Sequence, residues 1–141
     1  MQRLRDDSGF TLIEIMVVVF ILGLLVTLVA PKIIGRTDEA RRTKALADIK
    51  GIEEALHLFK LDNGFYPSTG QGLQALVQRP EGGNAARNWN PDGYLDRLPV
   101  DPWGNPYAYF SDGQEYIVKS YGGDGQEGGE GKNADIDSRQ Q

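Results

Sequence analysis

The strongest constraint in this chain is an apolar run near its start. Residues 10–29 read FTLIEIMVVVFILGLLVTLV, twenty residues with a single charge, Glu14. As a helix such a run covers about 30 Å, the thickness of a bilayer's hydrocarbon core. The preceding residues 1–9, MQRLRDDSG, are polar and carry Arg3 and Arg5. A basic flank ahead of the span predicts a cytoplasmic N-terminus and export of everything after it. The chain therefore divides into a leader (1–9), a membrane helix (10–30) and an exported domain (31–141).

An ordinary secretory signal has a shorter apolar region and a small-residue cleavage site. Here Thr27, Ala30 and Pro31 offer no such site. Nor does a plain membrane anchor need Glu14. A carboxylate in a span costs roughly 2–3 kcal/mol at mid-depth, and less near the interface. Either Glu14 is interfacial, or it meets a positive charge on a neighbouring copy. A cut between Gly9 and Phe10 would create an α-amino group four residues before Glu14. One copy's ammonium could then neutralise the next copy's carboxylate. Such pairing selects one axial register and rejects the unpaired ones.

Beyond residue 34 about a hundred residues remain, so the core is small. Small cores usually need a staple, and the chain has no cysteine. That leaves a metal or assembly. The net charge is −5, with basic residues clustered near the start and between Arg36 and Lys50. No basic, aromatic-studded surface runs through the rest, so nucleic acid is not an expected partner. Catalysis is not expected either: one histidine, no cysteine and no serine elbow argue against the nucleophile–base constellation of a membrane-anchored periplasmic hydrolase.

Pro31 either ends the span or bends the helix. Thr37, Asp38 and Glu39 make a cap-like restart. From there a helical pattern runs to about residue 62, and Asn63 with Gly64 closes it. Leu46, Ile49, Ile52, Leu56 and Phe59 recur at three- and four-residue steps as a core stripe. Arg41, Arg42, Lys44, Asp48, Lys50, Glu53 and Glu54 read as a solvated face, open to ion pairs between copies. His57, without a second histidine nearby, reads as a surface or edge residue and not a zinc ligand.

Residues 63–106 read as a variable loop, with a short helix over 71–77 and Gly, Asn and Pro clusters around Trp89. Two strands are expected at 107–110 and 115–121, joined by Ser111, Asp112 and Gly113. The fold class is α+β: a long N-terminal helix, half membrane-embedded and half amphipathic, packed on a small antiparallel sheet with long loops. The tail 121–136, YGGDGQEGGEGKNADI, has spaced carboxylates among glycines. Composition alone leaves disorder and a calcium loop open; a phosphate cradle is poor because no Lys-Ser/Thr follows the glycines.

Taken together, SGFTLIEIMVVVFILGLL resembles the class III signal of type IV pilins and pseudopilins. Gly9, Phe10, Thr11, Leu12, Ile13 and Glu14 stand at that family's spacing. The resemblance implies cleavage after Gly9 by a prepilin peptidase and N-methylation of Phe10. Further strings, NGFYPSTGQGLQALV, LPVDPWGNPYAY and SYGGDG, extend the likeness over nearly the whole chain, to the major pseudopilins of type II secretion systems and to their fold. That likeness implies a helical homopolymer, the periplasmic pseudopilus, which drives type II secretion of folded proteins across the outer membrane. The implied partners are the minor pseudopilins, the prepilin peptidase and an inner-membrane assembly platform. The implied location is the inner membrane of a Gram-negative bacterium, single-pass, with the C-terminal domain in the periplasm. It also implies structural calcium in the tail, with Asp124 as the main side-chain ligand. Tyr121, Gln126 and Gly129 would supply backbone carbonyls, and Asp135, with Glu130 behind it, the second carboxylate. The alternative is a type IV pilin of a surface fibre for adhesion or motility. Typical members of that group carry a C-terminal disulfide loop, and this chain has no cysteine.

Overall fold

The computed structural model describes residues 9–140, and of residues 29–35 the backbone alone. The leader up to residue 8, with Arg3 and Arg5, lies outside the described residues. Helix α1 runs Leu12–Asn63. It is helical through position 31, so Pro31 does not end it; whether the proline bends it lies outside what is described. The cap-like restart at 37–39 is not used, because the helix is already running there. Compact packing divides the chain into two units between Thr37 and Asp38.

In the second unit one stripe of α1 is buried. Ala45, Ile49, Ile52, Ala55, Leu56 and Phe59 are each at most 3% exposed. Leu46, expected in that stripe, is 38% exposed. The correction follows from helical phase: Ala45, one position back, continues the register of 49, 52, 56 and 59, and Leu46 falls beside it. The helix stops at Gly64, whose φ of 88° is a left-handed conformation open to glycine. Its N–H bonds the Lys60 carbonyl at 2.7 Å, and the Asn63 side chain bonds the Phe59 carbonyl at 3.0 Å.

The stripe packs on a three-stranded antiparallel sheet, β1 (Ala108–Ser111), β2 (Tyr116–Ser120) and β3 (Ile136–Asp137), in spatial order β1-β2-β3. Tyr109 faces Val118 across the first pair, and Ser120 faces Ile136 across the second. All four are buried, as the period-two alternation of a one-sided sheet requires. The first two strands lie where the sequence pattern puts them. The third does not follow from pattern, since two residues are too few to show an alternation.

Between helix and sheet, the expected short helix is a four-residue 3-10 turn, Leu73–Leu76. Its last carbonyls serve the following loop: Trp89 Nε1 donates to Ala75 O at 2.8 Å, and Tyr94 N to Leu76 O at 2.8 Å. Leu73, Ala75 and Leu76 join the core, with Trp89 and Tyr94 packed against it. The end of the expected variable loop, residues 101–106, is organised by Asp101. Its Oδ1 accepts from the backbone of Trp103 (3.1 Å) and Asn105 (2.8 Å). Tyr107 is buried in the core and Trp103 packs on its edge.

Candidate functional site

Two places hold the residues singled out above, one in each unit. At the start of α1, Thr11 and Glu14 cap each other. Thr11 N donates to Glu14 Oε2 at 3.3 Å, and Glu14 N to Thr11 Oγ1 at 3.2 Å. This is a capping box, in which the helix's first free N–H groups are satisfied by the two side chains. Within the isolated chain, then, the lone acid of the apolar run has an intramolecular partner. Gly9 and Phe10 precede the helix in open backbone, and Phe10 is 84% exposed. Every described side chain from Thr11 to Leu28 is exposed. A helix apolar all round is not stable in water and must be covered by lipid or by other helices. Among the described residues no helix is long and apolar enough to cross a membrane. In the sequence the apolar run goes on to Val29, one residue past its last described side chain, Leu28.

The second place is the tail between β2 and β3. Two 3-10 turns, Gly122–Asp124 and Gly131–Asn133, pack on each other. The approach is close: a Cβ on Gly122 would lie 2.8 Å from Ala134 O, and one on Gly129 would lie 2.6 Å from Asn133 O. Glycine is needed at both for lack of space as well as for their positive φ. The expected ligands all fall on this loop. Asp124 is exposed, and its Oδ1 accepts from Gln126 N at 3.1 Å. Asp135 is half-buried, and its Oδ2 accepts from Gly128 N at 3.0 Å. Its Oδ1 is buried without a hydrogen-bond partner. Tyr121 is half-buried; Gln126, Gly129 and Glu130 are exposed. Among the described residues no three His, Cys, Asp or Glu side chains converge as metal ligands. A hard cation can take carbonyl oxygens in place of further carboxylates. The orphaned Asp135 oxygen fits a cation, since leaving a buried acceptor unmet costs about 1–3 kcal/mol.

The sequence reading missed the groups that fasten this loop. Lys119 Nζ lies 3.6 Å from Glu127 Oε1. Arg42, expected on a solvated face, is half-buried and donates to Ala134 O at 3.1 Å and Gly131 O at 3.4 Å. A signal was present: 42, 45, 49, 52, 56 and 59 share one helical phase, so Arg42 extends the buried stripe. Two more residues of that face turn inward. Asp48 Oδ2 accepts from Tyr107 OH at 2.8 Å and Glu53 Oε2 from Tyr116 OH at 2.7 Å. Burial, then the hydrogen bond to these carboxylates, raises both phenol pKa values well above the ordinary tyrosine range. His57 is at the surface, with Tyr66 and Tyr116 hydroxyls at 3.2 and 3.3 Å from its two ring nitrogens.

Comparison with known proteins covers both places. Residues 32–139 match the family model described as type II secretion system (T2SS), protein G. Residues 4–30 match the prokaryotic N-terminal methylation motif. The chain is 57% identical over 138 residues to type II secretion system core protein G of Pseudomonas aeruginosa, covering 96% of each chain. It is 49% identical to the protein of the same name from Vibrio cholerae, covering 96% of this chain and 94% of that one. The fold matches the crystal structure of the major pseudopilin from the type 2 secretion system of enterohaemorrhagic Escherichia coli. The TM-score is 0.67 at 40% identity, over 74% of this chain and 87% of the other.

Proposed function

The chain belongs to the type II secretion system protein G family, the major pseudopilins, and on that premise we propose how its two sites serve assembly. The leader is removed after Gly9 by a prepilin peptidase, and Phe10 is N-methylated. Residues 10–30 hold the precursor in the inner membrane of a Gram-negative cell, N-terminus inside and C-terminal domain in the periplasm. Copies then leave the bilayer and stack their apolar helices into a helical pseudopilus, together with minor pseudopilins and an inner-membrane assembly platform. The role is that of a structural subunit, with no catalytic step of its own. A surface-fibre pilin is not favoured, because the family match over 32–139 is to protein G.

The observation that carries this reading is the N-terminal helix, exposed and apolar from Leu12 to Leu28 but for one acid. In the uncleaved chain Glu14 is satisfied by Thr11. After cleavage the Phe10 ammonium of a neighbouring copy is a stronger partner, since it brings a full positive charge to the carboxylate where the Thr11 N–H is a neutral donor. N-terminal sequencing and intact mass of membrane-extracted protein test the maturation, with a methylated Phe10 start expected. Processed E14L should assemble poorly, and regular filaments at normal yield from that variant would overturn the pairing.

The tail is read as a calcium loop. Asp135 and Asp124 supply carboxylates, and Tyr121, Gln126 and Gly129 offer backbone carbonyls. Calcium there supplies the staple that a cysteine-free small domain otherwise lacks. The support is the orphaned, buried Asp135 Oδ1 on a loop where Gly122 and Gly129 have positive φ and no room for a Cβ.

A further inference from the structure

We infer that Arg42 is a positioning residue for the calcium loop, an assignment that rests on the calcium reading above. Its Nη1 donates to two carbonyls at the ends of the turn Gly131–Asn133: that of Gly131, its first residue (3.4 Å), and that of Ala134, just past its last (3.1 Å). The next residue is Asp135, whose Oδ1 is buried and unmatched. The next after that, Ile136, enters β3 and is 1% exposed. Asp135 therefore sits between two anchors: Ile136 in the core and Ala134 under Arg42. With both ends held, its carboxylate has little freedom left to lose when a cation arrives.

The same contact sets the direction of the backbone. Arg42 draws the Gly131 and Ala134 carbonyls toward α1, which leaves other oxygens of the loop for the cation. It also places a fixed positive charge beside a loop carrying Asp124, Glu127, Glu130 and Asp135. That charge reduces the mutual repulsion of the carboxylates before metal binds, and it opposes the cation once bound. Preorganisation is the larger effect, because residues that orient metal ligands without touching the metal commonly change affinity 10–100-fold. Arg42 stands on α1, so the metal loop and the long helix are joined by one side chain from within the same compact unit.

The test uses the full-length chain in detergent. Trp103 lies against the loop, its Nε1 3.4 Å from where a Cβ on Gly123 would stand. It can therefore sensitise terbium bound there, and calcium can be titrated by displacement of terbium. R42A should weaken calcium binding about tenfold and shrink the calcium-induced rise in melting temperature. R42K should recover most of both, since an ammonium can also donate to two carbonyls. If R42A lowers the melting temperature equally with and without calcium and leaves the affinity unchanged, Arg42 is merely a structural tie and the inference falls. If wild-type protein shows neither terbium luminescence nor a calcium-induced shift, the calcium reading itself fails, and this assignment with it.

Discussion

Ser120 Oγ donates a 2.8 Å hydrogen bond to Asp101 Oδ2 in a fully buried setting. The bond joins β2 to the proline-rich loop after Val100. With Oδ1 holding the Trp103 and Asn105 amides, one carboxylate gathers three donors from two segments. Removing it leaves all three without an acceptor. D101A should cost about 2–4 kcal/mol, counting the donors left unmet in the interior. D101N retains one acceptor oxygen and should cost less than D101A. Thermal unfolding of the two variants checks the order, and equal melting temperatures would contradict it.

Gly128 and Gly129 are a matched pair for testing close approach. Both have positive φ, 88° and 93°. A Cβ on Gly128 meets nothing within 4 Å, whereas one on Gly129 is 2.6 Å from a backbone oxygen. G128A should cost about 1 kcal/mol, the penalty of left-handed backbone alone. G129A adds a clash with backbone that cannot swing aside, so it should be clearly the less stable of the two. Equal losses would mean that the two turns are not held at this distance.

Chelation gives a third prediction. D135N and D124A should each lower the melting temperature in calcium. The variants should also lose the difference between calcium and chelator that wild-type protein shows. Of the two, D135N should be milder in calcium-free buffer, because it removes the charge from a carboxylate whose buried Oδ1 has no hydrogen-bond partner there, while Oδ2 alone is met by Gly128 N. Unchanged calcium sensitivity in both would defeat the ligand assignment.

Alkaline stability gives a fourth. Tyr109 is buried, and its hydroxyl donates to Pro67 O at 2.6 Å. Burial pushes its pKa up to about 12. A raised pKa in the folded state means the unfolded chain gives up this proton first, near pH 10. The stability it contributes is intact below that pH and is lost as pH rises toward 12. Y109F removes one ionising group, so its stability should fall less steeply across this interval than the wild type's. Parallel curves would show that Tyr109 ionises as it does in water.

The apolar run with Glu14, the stripe from Ile49 to Phe59, the Gly64 stop and the β1–β2 hairpin all rest on local periods and turn chemistry, which a sequence displays directly. Membership of the family was legible for the same reason: residues 9–14 and the strings around Trp103 and Tyr107 are contiguous. The loop after Val100 was recognisable as a loop, but not the role of Asp101, because its third donor is Ser120 on a strand nineteen positions away.

By itself the sequence determined the elements whose cause lies within a few residues: where α1 is apolar, where it stops, which face it buries, and that one acid stands in the apolar run. Only the tertiary structure decided which polar residues are structural. Arg42, Asp48 and Glu53 looked like solvent-facing charges, and each proved to hold a distant segment. The pairing of β3 and the mutual packing of the two glycine turns were likewise decided there. The physical reason is that a hydrogen bond depends on distances of about 3 Å between groups that the chain brings together only by folding, and no local pattern encodes the partner.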